Sequence, residues 1–148
     1  MAKLTEKEKA RRKTIAEKKL KLAEEIAYLY AELDKPLDKT SEGLLAALDF
    51  RCQWLSRSAQ IVAECEVLYD AKKGEVAECY FGTEESWNTI KQVIESQAGE
   101  EKRLYLLADR LNATVTHSLD AVRSLVSYEK QERANSNFSY PQNKDKGY

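Results

Sequence analysis

The chain is poor in residues that interrupt helices. Its 148 residues include only five glycines and two prolines, both below average usage. So few breakers imply long helices. There is one histidine, which rules out the paired-histidine spacings HxxxH and HExxH and the ExxH pairs of di-iron bundles. No Walker loop and no GxGxxG is present, so nucleotide hydrolysis and dinucleotide chemistry are not expected. No apolar run approaches the roughly 20 residues that span a bilayer, and no membrane partner is expected. The first residues lack the apolar stretch of a secretory signal. The three cysteines, Cys52, Cys65 and Cys79, are separated by 13 and 14 residues, which matches no zinc or redox motif. They read as small core thiols in a reducing cytoplasm. The catalytic, metal and cofactor expectation is therefore none, and the chain reads as not an enzyme.

What is present is charge and helical period. Charged residues are 33% and the apolar set 43%, a globular balance that suits one modest core. The net charge of −1 hides an asymmetry. Residues 1–21 hold nine Lys/Arg against three Glu, a net of +6; the remainder holds fifteen against twenty-two, a net of −7. The chain is a basic arm on an acidic body.

Residues 1–33 read as one helix, with Thr5 as N-cap and Glu8 closing a capping box. Its apolar pattern begins only with Leu20, Ala23, Ile26 or Ala27, Tyr30 and Leu33, so the arm is expected to be exposed or partner-bound. Asp34-Lys35-Pro36 ends it. A second helix starts at Thr40 or Ser41. Its face is drawn through Leu44, Leu45, Leu48, Cys52, Leu55, Ala59, Val62 and Tyr69, widened by Trp54 and Ile61, and it continues through Gly74 to Phe81. Gly82 stops it. Thr83 is expected to cap the next helix, with Trp87, Ile90, Val93 and Ile94 buried. Gly99 marks a break or a tolerated interior glycine. The last helix runs to about Arg133, and 135–148 is polar, aperiodic and read as a disordered tail. The fold class is all-α: a long antiparallel helical hairpin or bundle (41–134) behind a basic N-terminal helix. A helix of about 40 residues spans roughly 60 Å. A hairpin that long leaves apolar faces and aromatics such as Tyr28, Trp54 and Trp87 uncovered, so a homo-oligomer is expected.

The last helix carries two stripes. Leu104, Ala108, Leu111, Val115, Leu119, Val122 and Val126 recur at three and four, one buried face. Beside them run Asp109, Asn112, Thr116, Asp120, Arg123 and Ser127. These short hydrogen-bonding side chains are poor helix formers, which points to a helix contact or a ligand surface. Arg123 offers a planar fork for carboxylate or phosphate; Thr116, His117, Ser124 and Ser127 lie near it on the helix. Arg51 and Arg57 of the second helix are candidates to converge there. Two readings stand: an anion site, or an interhelical seam that fixes register, with Asp120 or Glu64 as an arginine's partner. In the arm, Lys9, Arg11, Arg12, Lys13, Lys18 and Lys19 are candidates for nucleic-acid phosphates, although no aromatics interleave for stacking.

The segment ADRLNATVTHSLDAVRSLVSYEKQE, residues 108–132, resembles the end of small helical proteins encoded by bacteriophages. Their pattern Leu-Asn…Leu-Asp-x-x-Arg-Ser-x-x-Ser-x-x-Lys falls here on Leu111, Asn112, Leu119, Asp120, Arg123, Ser124, Ser127 and Lys130. The stretch FRCQWLSRSAQIVAECEVLYDAKKGEVAE, residues 50–78, is similar to these proteins too. The resemblance covers about half the chain and leaves out the basic helix. It implies a non-enzymatic accessory role in a host cytoplasm, among replication, recombination and counter-defence functions. The partner it suggests is a host defence protein, an anionic nucleotide signal or nucleic acid.

Overall fold

The computed structural model describes residues 4–138, and among them every regular element is a helix. The helices are α1 (Glu6–Leu33), α2 (Ser41–Cys79), α3 (Trp87–Gln97) and α4 (Gly99–Asn137). Among the described residues no helix is long and apolar enough to cross a membrane.

Local chemistry sets the ends. Thr5 caps α1 through the Glu8 amide, and Glu8 reaches back to the Thr5 amide, so two orphan donors are satisfied reciprocally. Thr40 caps α2 through the Gly43 amide. Gly74 is passed without interruption and α2 ends at Cys79, two residues short of Phe81. Gly82 then adopts φ +79°, a conformation that costs other residues roughly 1–2 kcal/mol. Gly82→Ala is expected to lower stability by about 1 kcal/mol, read as a shifted urea midpoint; an unchanged midpoint would show that the turn tolerates a Cβ.

The expected cap at Thr83 is corrected. The Thr83 hydroxyl donates to the Tyr80 carbonyl (2.8 Å), and Ser86 caps α3 through the Thr89 amide. The buried face expected for α3 is corrected as well: Ile94 is buried, whereas Trp87 is 67% exposed. Fully buried Ala98 separates α3 from α4, so Gly99 begins a helix and does not sit inside one. α4 runs to Asn137, past Arg133. Residues 135–137, expected in the tail, are therefore helical, and 139–148 lie outside the described residues.

α2 and α4 are antiparallel. Ser41 meets Glu129 and Arg133, Arg51 meets Ser118, Ser58 meets Asn112, and Tyr69 stacks on Tyr105. α1 lies across both, antiparallel to α2 through Glu25–Arg57 and starting beside α4 at Lys19–Glu101. All seven apolar positions expected on α4 are buried. Leu104, Ala108, Leu111 and Val115 pack with Ile61 and Cys65 of α2 and Leu22, Ile26 and Leu29 of α1, while Leu44 and Ala47 close a second cluster with Val122 and Val126.

Two faces differ from the sequence reading. On α1 the buried line is Leu22, Ile26 and Leu29, and Leu20 is 60% exposed. On α2 it passes through Leu44, Ala47, Arg51, Ser58, Ile61, Cys65 and Val76, leaving Leu45, Cys52 and Ala59 outside.

Candidate functional site

Arg51 and Ser58 stand at core positions because α4 supplies their hydrogen bonds. The Arg51 Nε donates to Ser118 Oγ (2.6 Å) and its Nη1 to the Ala47 carbonyl (3.2 Å). The guanidinium also lies 5.6 Å from the Trp54 ring centroid, within cation–π range. Burial pushes it below the usual arginine range, yet an arginine stays protonated. Asn112 Nδ2 donates to Ser58 Oγ (2.9 Å), and Ser58 donates on to the Leu55 carbonyl. These side chains form a polar seam between α2 and α4. A one-turn slip would break both interhelical bonds, Arg51–Ser118 and Asn112–Ser58, and leave only the bonds to the Ala47 and Leu55 carbonyls within α2.

The other stripe residues divide. Thr116 donates to the Asn112 carbonyl and Ser124 to the Asp120 carbonyl, each within its own helix. Arg123 pairs with Asp120 at 3.3 Å, both more than half exposed. His117, Ser124 and Ser127 are exposed. Arg57 turns away from α4. It grips Glu25 of α1 through a fork, with Nη2 at 2.6 Å, and reaches Glu64 at 3.5 Å. That hydrogen bonding holds the Glu25 carboxyl below its usual range. Arg51, Arg57 and Arg123 thus serve three different contacts and do not converge on one anion site. Ser58, Ser118 and Glu25 complete these contacts without having stood out in the sequence. The signal for Ser58 was a polar residue seven after Arg51, both at the buried period of α2.

A second place gathers charge. The start of α1, the last third of α2 and the first turn of α4 enclose a cavity of about 280 Å³. Ile15 and Leu68 contribute apolar lining, and Arg11, Arg12, Lys19, Lys72, Glu75 and Glu101 line it with charge. Two of the cations are engaged. Lys19 Nζ donates to Glu100 (3.1 Å) and Glu101 (3.0 Å), and Lys72 lies 3.6 Å from Glu75. Arg11 and Arg12 form no hydrogen bond or ion pair within the described residues. Of the arm's remaining candidates, Lys9 pairs with Glu6, while Lys13 and Lys18 are exposed.

Cys65 is buried, and burial pushes its thiol up to about 11, far from the thiolate a nucleophile needs. Among the described residues no three His, Cys, Asp or Glu side chains are grouped to hold a metal ion.

Compared with known proteins, the chain matches no protein-family model, no curated protein and no solved structure.

Proposed function

We propose that this chain is a non-enzymatic binding protein of the phage accessory type. In this reading it acts in counter-defence within a host cytoplasm, as a homo-oligomer. It captures a small anionic nucleotide in the cavity between α1, α2 and α4. The observation that carries the reading is the pair Arg11 and Arg12, two guanidiniums on one cavity, neither within ion-pair distance of a carboxylate, although Glu8 lies near enough to Arg12 to feel its charge. A planar guanidinium matches phosphate oxygens two at a time. The cavity's roughly 280 Å³ lies just below the usual range of ligand pockets, about 300–1,000 Å³. That favours a mononucleotide over a polymer, with Ile15 and Leu68 as an apolar wall for its carbon skeleton. The bland alternative is two solvated arginines on a helix end.

A calorimetric titration separates them. Nucleoside mono- and diphosphates are expected to bind the wild-type chain at low salt. Arg11→Ala combined with Arg12→Ala is expected to weaken that affinity at least tenfold and leave the melting temperature unchanged, because both side chains are exposed. No heat with any nucleotide would remove the reading.

A second reading, nucleic-acid binding in replication or recombination, draws on Lys13 and Lys18, which stand exposed outside the cavity's lining. A DNA or RNA oligomer in the same titration reports it. Its affinity must fall steeply with salt as phosphate counterions are released, and it must respond to Lys13→Gln and Lys18→Gln.

A further inference from the structure

The face that α1 and α4 turn away from α2 has a composition unlike an ordinary solvated surface. A groove of about 530 Å³ runs between them, with Ala16, Leu20 and Ala23 on one bank and Leu104 and Leu107 on the other. Leu20 is 60% exposed, Leu106 44% and Leu107 40%. Leu20 and Leu107 line the groove, and Leu106 adjoins Leu107 on the neighbouring surface of α4; exposed leucines grouped in this way mark an interaction surface.

The charges flanking the groove indicate what covers it. Glu17 and Glu24 stand on α1, on either side of Leu20 in the chain. Arg103 and Arg110 stand on α4, on either side of Leu106 and Leu107. All four are exposed, and none forms a salt bridge within the described residues. The two acids are seven residues apart and so are the two arginines. Seven residues are about two turns, roughly 10.5 Å of helix, so each pair returns to one face at the same spacing.

We infer that this face is the contact between two copies of the chain, with α1 of each laid against α4 of the other. One copy then offers two acids beside a leucine where its neighbour offers two arginines beside leucines. A twofold axis repeats the arrangement on the other side. The equal spacing satisfies both ion pairs whether the helices meet parallel or antiparallel. A face that carries both halves of its own complement favours a second copy over an unrelated partner. Leu20 and Leu107 lie at the centre and exclude water, which strengthens the flanking pairs. The inference rests on the self-association named above and supplies its surface.

The test is a charge exchange read by light scattering at micromolar concentration. Four full-length chains are compared: wild type, Glu17→Lys with Glu24→Lys, Arg103→Glu with Arg110→Glu, and all four changes together. Wild type is expected at twice the 16.9 kDa chain mass. Each two-site variant is expected at the monomer mass, because like charges then meet at both ends. The four-site variant is expected to return to the dimer. All four positions are exposed, and an unchanged helical circular dichroism confirms that each variant is folded. If wild type is dimeric and neither two-site variant changes its mass, the α1/α4 face is not the contact and self-association itself stands. A four-site variant that stays monomeric overturns the charge pairing. A monomeric wild type overturns both the surface and the self-association.

Discussion

Leu111→Ala is expected to destabilise the chain by about 2–5 kcal/mol, a large share of the roughly 5–15 kcal/mol that holds a domain folded. Leu111 has no exposed surface and sits in the cluster with Leu22, Ile26, Ile61, Cys65, Ala108 and Val115. Three helices supply those neighbours, so none can collapse onto the gap without moving a whole helix. The control is Leu45→Ala, on α2 and 55% exposed. It leaves no enclosed cavity and is expected to cost well under half as much. Urea unfolding followed by circular dichroism reads both, with the slope held constant as the check on two-state behaviour. A Leu111→Ala cost below about 1 kcal/mol would mean that the three helices do not share one packed core.

The contrast between α4 and α2 shows what governs legibility. On α4 every inward position from Leu104 to Val126 is apolar, so a period of three and four could be drawn through that stretch of the sequence and all seven residues on it are buried; the buried Glu101 before it was not part of that line. On α2 the inward line includes Arg51 and Ser58. Read alone, those two residues look like solvent positions, and Leu45, Cys52 and Ala59 offer a competing apolar line that the fold leaves outside. Only the partners on α4, Ser118 and Asn112, make an arginine and a serine acceptable inside. A sequence pattern carries no trace of a hydrogen bond made 54 or 67 residues away. On α1 both Leu20–Ala23–Ile26 or Ala27–Tyr30–Leu33 and Leu22–Ile26–Leu29 satisfy helical spacing; packing chose the second, and Ile26 is common to the two. The error at Thr83 is of another kind. Thr83 and Ser86 are both competent caps, and the turn set by Gly82 engages the Thr83 hydroxyl with Tyr80 first.

The basic arm was legible as charge and not as a site. Arg11, Arg12 and Lys19 were evident as cations. That α1 lays them against Lys72, Glu75 and Glu101 depends on the return of the chain through α2 and α4. The polar stripe of α4 pointed correctly to a helix contact at Asn112, whereas Asp109, Asp120, Arg123 and Ser127 on the same stripe are exposed. Periodicity places residues on a face. It does not say how wide the facing helix is, and here α2 covers only the inner edge of the stripe.

Lys19→Met is expected to cost about 3–5 kcal/mol, the range for removing one partner of a buried pair. The Glu101 side chain is 7% exposed and Lys19 18%, so their 3.0 Å bond is largely shielded from water. The other carboxylate oxygen of Glu101 has no hydrogen-bond partner, which leaves Lys19 as the group that compensates the charge. Burial taken alone pulls the Lys19 ammonium down, but its bonds to Glu101 and Glu100 together outweigh that and raise it above the ordinary range. A group raised in the folded state contributes stability that is complete below its unfolded value, about 10.4 for lysine. That stability is lost only as pH rises through the folded value. At pH 7 the pair therefore acts in full, and that is where it is best measured. The decisive variant is Lys19→Met combined with Glu101→Leu. A well-packed apolar pair in place of a buried ion pair is often neutral or stabilising, so the double variant is expected to recover most of what Lys19→Met loses. Lys19→Met alone leaves a shielded carboxylate unpaired, whereas the double variant removes the carboxylate as well. If both variants lose the same stability, the cost lies in packing against the lysine stem. If neither loses more than about 1 kcal/mol, the pair behaves as a surface salt bridge, and the junction of α1 with α4 is wetter than its burial indicates.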